Sequence, residues 1–388
     1  MMLGYLLARG GVEVVVLEKH ADFLRDFRGD TIHPSSLEVM HELGVLESFL
    51  KRPHQELREV VGNVGGVLVP IADFSRLPTH CKFLAFMPQW EFLDFLADRG
   101  AELPAFHLDM RAEVTGLIEE AGRIRGVTAA IGGREERIDA DLVVGADGRS
   151  SLVRARAGLT VEDLGAPIDV LWMQLTRRGS DPAQSFGYLD RGHVLVTLDR
   201  GDYWQVAYVI AKGEFDSLKR GGVEVLQRSI AAMVPWLSDR VGALRSWDDV
   251  KLLTVKVDRL REWCRPGLLC IGDAAHAMSP IGGVGINLAI QDAVAAANIL
   301  IPCLRARSCT IDDLRRVQGR RMFPTRATQR VQILIQNNVL APALAGKGLA
   351  GLPWPLKLLR AFPPLRRLPA RFVGMGVRPE HVSEALKV

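Results

Sequence analysis

Residues 267–293 read GLLCIGDAAHAMSPIGGVGINLAIQDA, and this stretch decides the fold. An apolar run from Leu268 to Ile271 has the composition of a buried strand and stops at Gly272-Asp273. After Pro280 come Gly282, Gly283 and Gly285, and then a helix predicted to start near Ile286 or Asn287 and to run to about 305. Glycines there leave backbone N–H groups bare, and a helix N-terminus favours partial negative charge at that point. An ordered, ligand-holding turn is expected rather than a slack glycine loop, because both flanks read as regular structure.

The same layout occurs earlier in DLVVGADGRSSLVR, residues 141–154. An apolar strand runs into Gly145-Ala146-Asp147-Gly148, and Ser150 or Ser151 can cap a helix that contains Arg154. A strand ending in small residues lets backbone approach a ligand closely. Asp147 can accept from a hydroxyl or order water around a phosphate, and Arg154 can pair with phosphate. The plainer alternative is a strand–turn–helix joint with Asp147 as turn former.

The chain opens MMLGYLLARGGVEVVVLEKH: a helix over Met2–Ala8, a glycine stop at Gly10-Gly11, and a strand over Val12–Leu17 that ends on Glu18 and Lys19. That is the second half of a dinucleotide-binding βαβ unit, with Gly4 as a close-packing position. In such units the acid lies about 20 residues after the first glycine of the phosphate turn. Counting back from Glu18 reaches Met1 or just before it, so the expectation is a late start or truncation whose first strand and glycine-rich turn are absent, with a natural variant whose sheet is completed otherwise as the alternative.

Between these landmarks the texture alternates. PSSLEVMHELGVLESFL (34–50) has helical spacing with Ser35 or Ser36 as cap, and PQWEFLDFLADRG (88–100) is a helix with Pro88 at its start. Residues 105–146 read as a run of strands, and 160–258 as alternating strands with a hairpin around Asp199–Asp202 and a helix over 222–234. In DVLWMQLTR, Trp172 and Gln174 share one face while Leu171, Met173 and Leu175 share the other; Trp204 and Tyr208 share a face of another strand. The fold class is therefore α/β (α+β overall). A nucleotide lobe with a parallel sheet, discontinuous in sequence (1–65, 88–160 and 260–335), carries an inserted mixed-sheet lobe (66–87 and 161–259). Residues 336–388 form a helical, proline-rich tail.

The 388 residues carry a formal charge of +4 with arginine scattered rather than blocked, which excludes a nucleic-acid binder with a basic stripe. Cys81, Cys264, Cys270, Cys303 and Cys309 form no CxxC pair and no zinc spacing, so reduced thiols, a cytoplasmic protein and no metal site are expected. No run of eighteen uninterrupted apolar residues occurs, so no transmembrane segment is expected. The stretch 352–372 is basic and lacks acids, but five prolines deny it a long amphipathic helix. A strap across the protein or a subunit contact is expected there in preference to peripheral membrane contact.

The acid-ended strand, the Asp147-Gly148 segment and the Gly272-Asp273 segment, in this order and spacing, resemble the flavin-dependent aromatic hydroxylases of the para-hydroxybenzoate hydroxylase type. FRGDTIHPSSLEVMHELG (27–44) and PQWEFLDFL (88–96) are also similar to that family's flavin-contacting segments, so the resemblance spans about residues 1–335. It implies an FAD site in which Glu18, with Lys19 beside it, binds the adenosine ribose. Arg28 would lie near the flavin or its ribityl chain, and Gln89 would contact the ribityl–phosphate part. Asp147 and Gly148 would stand beside the pyrophosphate, and Gly272 and Asp273 at the ribityl or pyrophosphate. Pro280 would sit over the ring on its oxygen-reacting side, as the one residue with a catalytic position, with Gly283, Gly285, Ile286 and Asn287 at the pyrimidine edge. His276 is expected to be a local structural hydrogen-bonder rather than a base.

By the same resemblance the protein is a monooxygenase. NADH or NADPH would reduce FAD, dioxygen would form a C4a-hydroperoxide, and an aromatic or other apolar, electron-rich small molecule would be hydroxylated. Trp172, Gln174, Trp204 and Tyr208 are the candidate substrate contacts, each with plain sheet packing as the alternative. No nucleophile elbow, HExxH site or halogenase Trp-x-Trp-x-Ile-Pro signature is found. A flavin-dependent reductase of a prenyl-type substrate and an inactive flavoprotein lacking the pyrophosphate loop are the competing readings. A monomer or homodimer is expected.

Overall fold

The computed structural model describes residues 1–24, 31–182, 186–190, 192–346 and 352–387. Its first lobe is built on short parallel pairs. Val14–Glu18 runs parallel to Phe106–Met110, with Glu18 opposite Met110. The opening helix Met2–Arg9 lies so close to this pair that a Cβ on Gly4 would stand 2.7 Å from Val16 Cγ2, so only glycine fits there. A second parallel pair, Val143–Gly145 with Leu268–Cys270, joins segments 125 residues apart and extends antiparallel to Cys264–Arg265. The strands Ala112–Glu120, Arg123–Ile131 and Arg134–Asp139 form an antiparallel meander beside them.

The core of this lobe gathers Leu6, Leu268, Leu269, Cys270, Val294 and Leu300, all fully buried. Val294 and Leu300 belong to the helix Gly285–Arg305, whose alanines let it sit inside the lobe with the helix Ile311–Ile335 alongside. The stretch Ile281–Arg305 is long and apolar enough to cross a membrane by length and composition, but 67% of its apolar window is buried within the protein. That burial makes it a core helix.

The second lobe is a seven-stranded sheet in the order Lys251–Leu253, Ile168–Thr176, Tyr203–Ala211, His193–Asp199, Phe186–Asp190, Glu59–Val64, Val67–Asp73. All its neighbours are antiparallel except Phe186–Asp190 against Glu59–Val64. The hairpin Glu59–Asp73 joins as one unit, so the sheet takes residues 59–65 as well as those that follow. The strand Leu84–Phe86 instead pairs with Thr31–Ile32 and Gln55–Leu57. One face of the large sheet packs Leu171, Met173, Leu175, Trp204, Val206, Tyr208 and Ile210 on the helix Val223–Met233. The other carries Val170, Trp172, Ala207 and Val209 and is covered at one end by Ile333, Leu340 and Ala343.

Several expected elements form where the sequence places them: the helix Gln89–Ala101 behind Pro88, the strand run from Phe106 to Gly145, the hairpin at Asp199–Asp202 and the helix Val223–Met233. The 34–50 segment splits into Pro34–Glu42 and Leu46–Phe49, and neither serine caps it. Pro34 holds the first helical position, which makes His33 the cap residue and frees the Ser36 hydroxyl for another partner.

Candidate functional site

Two strand ends create the site. Because Gly145 pairs with Cys270 and the Ile271 N–H donates to Gly145 O at 3.0 Å, the turns after both strands emerge side by side. Arg149 Nη2 then stands 3.7 Å from Asp273 Oδ2, bridging the 147–149 and 272–274 turns. A Cβ on Gly285 would lie 4.0 Å from Asp273 Oδ1, so the start of the Gly285–Arg305 helix adjoins the same acid. Asp147, Gly148, Gly272, Asp273, Gly283 and Gly285 are thus brought to one place from three parts of the chain.

The glycine loop needs its glycines. Gly282 and Gly283 take φ of 78° and 61°, and a Cβ on Gly283 would stand 3.0 Å from Thr31 Oγ1. The helix that follows has no side-chain cap and no acid in its first turn. Its first N–H groups therefore offer an anion-favouring end over 21 residues of aligned peptides. Pro280 caps the short turn Ile281–Gly283 at the loop's edge. Gln332 of the neighbouring helix fixes the loop from behind, donating to Ser279 O and Ile281 O at 2.9 Å each.

Asn287 holds the loop rather than facing outward. It accepts from the His33 N–H at 2.8 Å and the Ser36 hydroxyl at 2.7 Å, and donates to Thr31 O and Gly283 O at 2.9 and 3.1 Å. Its amide is consumed by these four bonds, which pin the Thr31–Ser36 segment to the glycine loop. His33 sits in the same joint, with Nδ1–H donating to Val373 O of the tail at 2.7 Å. Burial pushes its pKa down to about 4, against the pull of the Val373 and Gly282 carbonyls, so the ring is neutral at physiological pH.

Behind the loop lies a buried charge network. Asp292 Oδ2 accepts from the Gly272 N–H at 3.0 Å and pairs with His276 Nε2 at 2.6 Å; Oδ1 accepts from Arg321 Nε at 2.8 Å. Arg321 also reaches Glu380 Oε1 at 3.2 Å, and Arg320 meets that oxygen at 2.7 Å. Burial alone would raise the Asp292 pKa, but His276 and Arg321 outweigh it and hold the carboxyl below its ordinary value. The network ties the Gly272–Ala274 turn to two helices and to the tail.

The remaining candidates separate. Glu18 ends the neighbouring parallel pair and accepts from the His20 N–H at 2.9 Å, with Lys19 exposed next to it. Gln89 is half-buried at the first turn of a helix that packs on the opening helix. Asp147 accepts from the Ser151 hydroxyl and from the Val153 N–H at 3.0 Å, so it also caps the helix Leu152–Arg156. Arg154 is not turned to a phosphate. It is buried and donates to Arg149 O and Ala274 O, bracing the two turns from inside. Arg28 lies outside the described residues.

The four substrate candidates do not meet. Trp204 and Tyr208 face the helix Val223–Met233, on the side of the sheet opposite Trp172 and Gln174. Trp204 is fully buried and donates Nε1–H to Asp181 Oδ2 at 2.8 Å, where Arg240 pairs with the same carboxylate. Its ring is enclosed between the sheet and the helix Val223–Met233. The residues on the lobe-facing side that sequence reasoning missed are Gln205, buried beside Gln174, and Arg200, which bonds Gln205 Oε1 at 2.7 Å and stacks 5.4 Å from the Phe86 ring. Phe86 pairs with Thr31, the residue against Gly283, so this corner of the sheet borders the glycine loop. Among the described residues, Cys303, Cys309 and Asp313 bring three ligand-type atoms within 4.8 Å of one another, but Asp313 is the capping acid of the following helix.

A glycine loop at a helix start, flanked by two acid-bearing turns at parallel strand ends, defines a dinucleotide-cofactor protein. Residues 1–330 match the family model described as "FAD binding domain". The chain is 35% identical over 343 residues to 6-methylpretetramide 4-monooxygenase of Streptomyces rimosus, covering 88% of this chain and 82% of that one. It is 29% identical to rifampicin monooxygenase of Streptomyces venezuelae, over 76% of this chain and 60% of the relative. The structure of p-nitrophenol 4-monooxygenase PnpA from Pseudomonas putida superposes with a TM-score of 0.75 at 20% identity, covering 97% and 96% of the two chains; that likeness carries the fold. The chain belongs to the FAD-binding domain family, as an FAD-dependent monooxygenase of the para-hydroxybenzoate hydroxylase type.

Proposed function

We propose that the protein hydroxylates polycyclic, electron-rich aromatic compounds, drawing electrons from NADH or NADPH and oxygen from dioxygen. The observation that carries this reading is the convergence of Asp147-Gly148, Asp273 and the 282–285 glycine loop beside the seven-stranded sheet. The residues fit FAD. Positive-φ glycines make a cradle that a Cβ would fill, and an uncapped helix end faces the position for the electron-rich pyrimidine edge. The relative named for 6-methylpretetramide supports a fused-ring substrate.

FAD, when bound and reduced, supplies the oxygen activation. The chain supplies binding and placement. Glu18 and Lys19 would hold the adenosine ribose, Gln89 and Asp273 the ribityl and phosphate parts, and Asp147-Gly148 the pyrophosphate side. Gly283, Gly285, Ile286 and the N–H groups around Asn287 would hold the ring edge, with Pro280 over its reacting face. Arg28 would complete the flavin contacts. The lobe-facing side of the sheet, with Gln174, Gln205 and Arg200, would orient the substrate, and Trp172 would pack against its apolar part. We assign residues 1–58, 84–160 and 260–335 to cofactor binding and the sheet lobe, residues 59–73 and 161–259, to substrate binding. With its five cysteines free, the protein is assigned to the reducing cytoplasm, as a monomer or homodimer.

The test is to load the protein with FAD and screen phenols of one to four rings for stimulated NAD(P)H oxidation under ¹⁸O₂. Incorporation of one ¹⁸O per NAD(P)H consumed is expected. Consumption of NAD(P)H with a reduced product free of ¹⁸O would assign the reductase reading instead.

A further inference from the structure

The tail is both strap and exposed surface. Its second helix, Arg367–Gly374, buries Ala370 and Gly374 against Phe74, Leu77 and Pro34, as a strap should. The first, Trp354–Ala361, has no buried residue and lies along Val67–Asp73, the edge strand of the large sheet. At roughly 100° per residue it carries two apolar sides. Leu356 and Leu359 take the half-buried side, while Trp354, Leu358 and Phe362 take the other and are 75%, 39% and 57% exposed.

Trp354, Leu358 and Phe362 recur at four-residue spacing, so they form one solvent-facing stripe. Leu368, at the start of the next helix, is 66% exposed. Lys357 and Arg360 border the stripe, and Arg367 and Arg371 follow on the second helix, all exposed. No acid occurs anywhere in residues 352–378. The Arg366 guanidinium bonds Leu359 O at 3.0 Å and Arg360 O at 3.3 Å, locking the turn that sets the two helices relative to each other. A tryptophan and a phenylalanine held in water beside four cations, on helices that carry no acid of their own and with Asp73 of the edge strand set against Arg367, form the pattern of an element lying at a lipid headgroup boundary.

We propose that the Trp354–Gly374 helix pair seats the enzyme on an anionic lipid surface. Charge complementarity selects this occupant, because a second copy docking symmetrically through the same patch would bring the same cations against these ones. The element flanks the sheet lobe, so apolar ring systems dissolved in the bilayer would be delivered near that lobe.

The full-length protein is tested by co-sedimentation with vesicles of phosphatidylcholine alone or equimolar phosphatidylcholine and phosphatidylglycerol. Association with the anionic vesicles should be at least about tenfold tighter than with neutral ones, and should weaken as salt shortens the screening length. Trp354→Ser with Phe362→Ser, both at solvent-exposed positions, should lose about tenfold or more with an unchanged circular dichroism spectrum. Lys357→Gln with Arg360→Gln should reduce the preference for anionic vesicles. Absence of vesicle binding, equal binding to both vesicles, or binding unmoved by the double serine variant would each overturn the proposal. A wild-type dimer that the serine variant converts to monomer, without vesicle binding, would overturn it in favour of a second copy.

Discussion

Replacing Asp292 with asparagine is expected to loosen the cofactor turn from a position that would touch no cofactor. The carboxylate is fully buried and serves three donors: the Gly272 N–H, His276 and Arg321. An asparagine keeps one oxygen, so its NH₂ must confront either Arg321 or the Gly272–His276 side, and at least one buried donor is orphaned. Arg321, itself 1% exposed, is left with Glu380 as its remaining counter-charge. Breaking a buried pair by removing one partner costs about 3–5 kcal/mol. Thermal unfolding followed by circular dichroism should show Tm lowered by about 4–6 °C. At a temperature where the variant remains folded, FAD titration by flavin fluorescence should show weaker binding, because Gly272 has lost its anchor. An unchanged Tm would refute the energetic argument. A lowered Tm with unchanged FAD affinity would refute the link between network and cofactor turn.

Other perturbations test separate parts of the account. His33 has a folded pKa of about 4 against 6.5 unfolded, so the unfolded chain binds the proton first as pH falls. Stability should therefore drop between about pH 6.5 and 4, by about 3 kcal/mol at most, and urea titrations of His33→Gln should show a flatter profile over that window. Gly283→Val forces a side chain onto a φ of 61° and against Thr31, straining the loop by about 1–3 kcal/mol. FAD affinity should fall about tenfold or more with the rest of the fold retained, as measured by the same titration. Trp204→Ala should cost about 3–5 kcal/mol in urea unfolding while leaving substrate preference unchanged, because its ring packs on the far side of the sheet. Gln174→Ala should do the reverse, altering KM with stability within about 0.5 kcal/mol of the original.

Local signals made much of this readable from the chain. The strand Leu268–Cys270 and its glycine-rich sequel announce themselves because an apolar run, a glycine stop and a helix start follow one another within 27 residues. Gly4 was legible for the same reason, since helix and strand are adjacent in sequence. Contacts across long separations were not. Nothing local says that Asn287 will spend its amide on His33 and Ser36, about 250 residues earlier, or that Arg154 will turn inward. Alternation correctly grouped Trp204 with Tyr208, and Trp172 with Gln174. It could not say which face would meet the helix Val223–Met233, because both faces carry large apolar side chains, Trp172 on one and Trp204 on the other. Asp292 did carry a signal: it is the one acid in a largely apolar, alanine-rich helix, and a lone buried charge requires partners.

FAD binding by the 147–149 turn, the 272–274 turn and the 282–285 loop together is the proposal on which the other assignments depend. Its most direct test is to incubate the purified protein with excess FAD, remove free cofactor by gel filtration, and record the visible spectrum of the protein and of its Gly283→Val variant. The two-band absorption of oxidised flavin is expected at one FAD per chain for the original protein, with a clear loss of bound flavin in the variant. Protein that emerges without flavin, or a variant that retains it equally, would rule out this cofactor site.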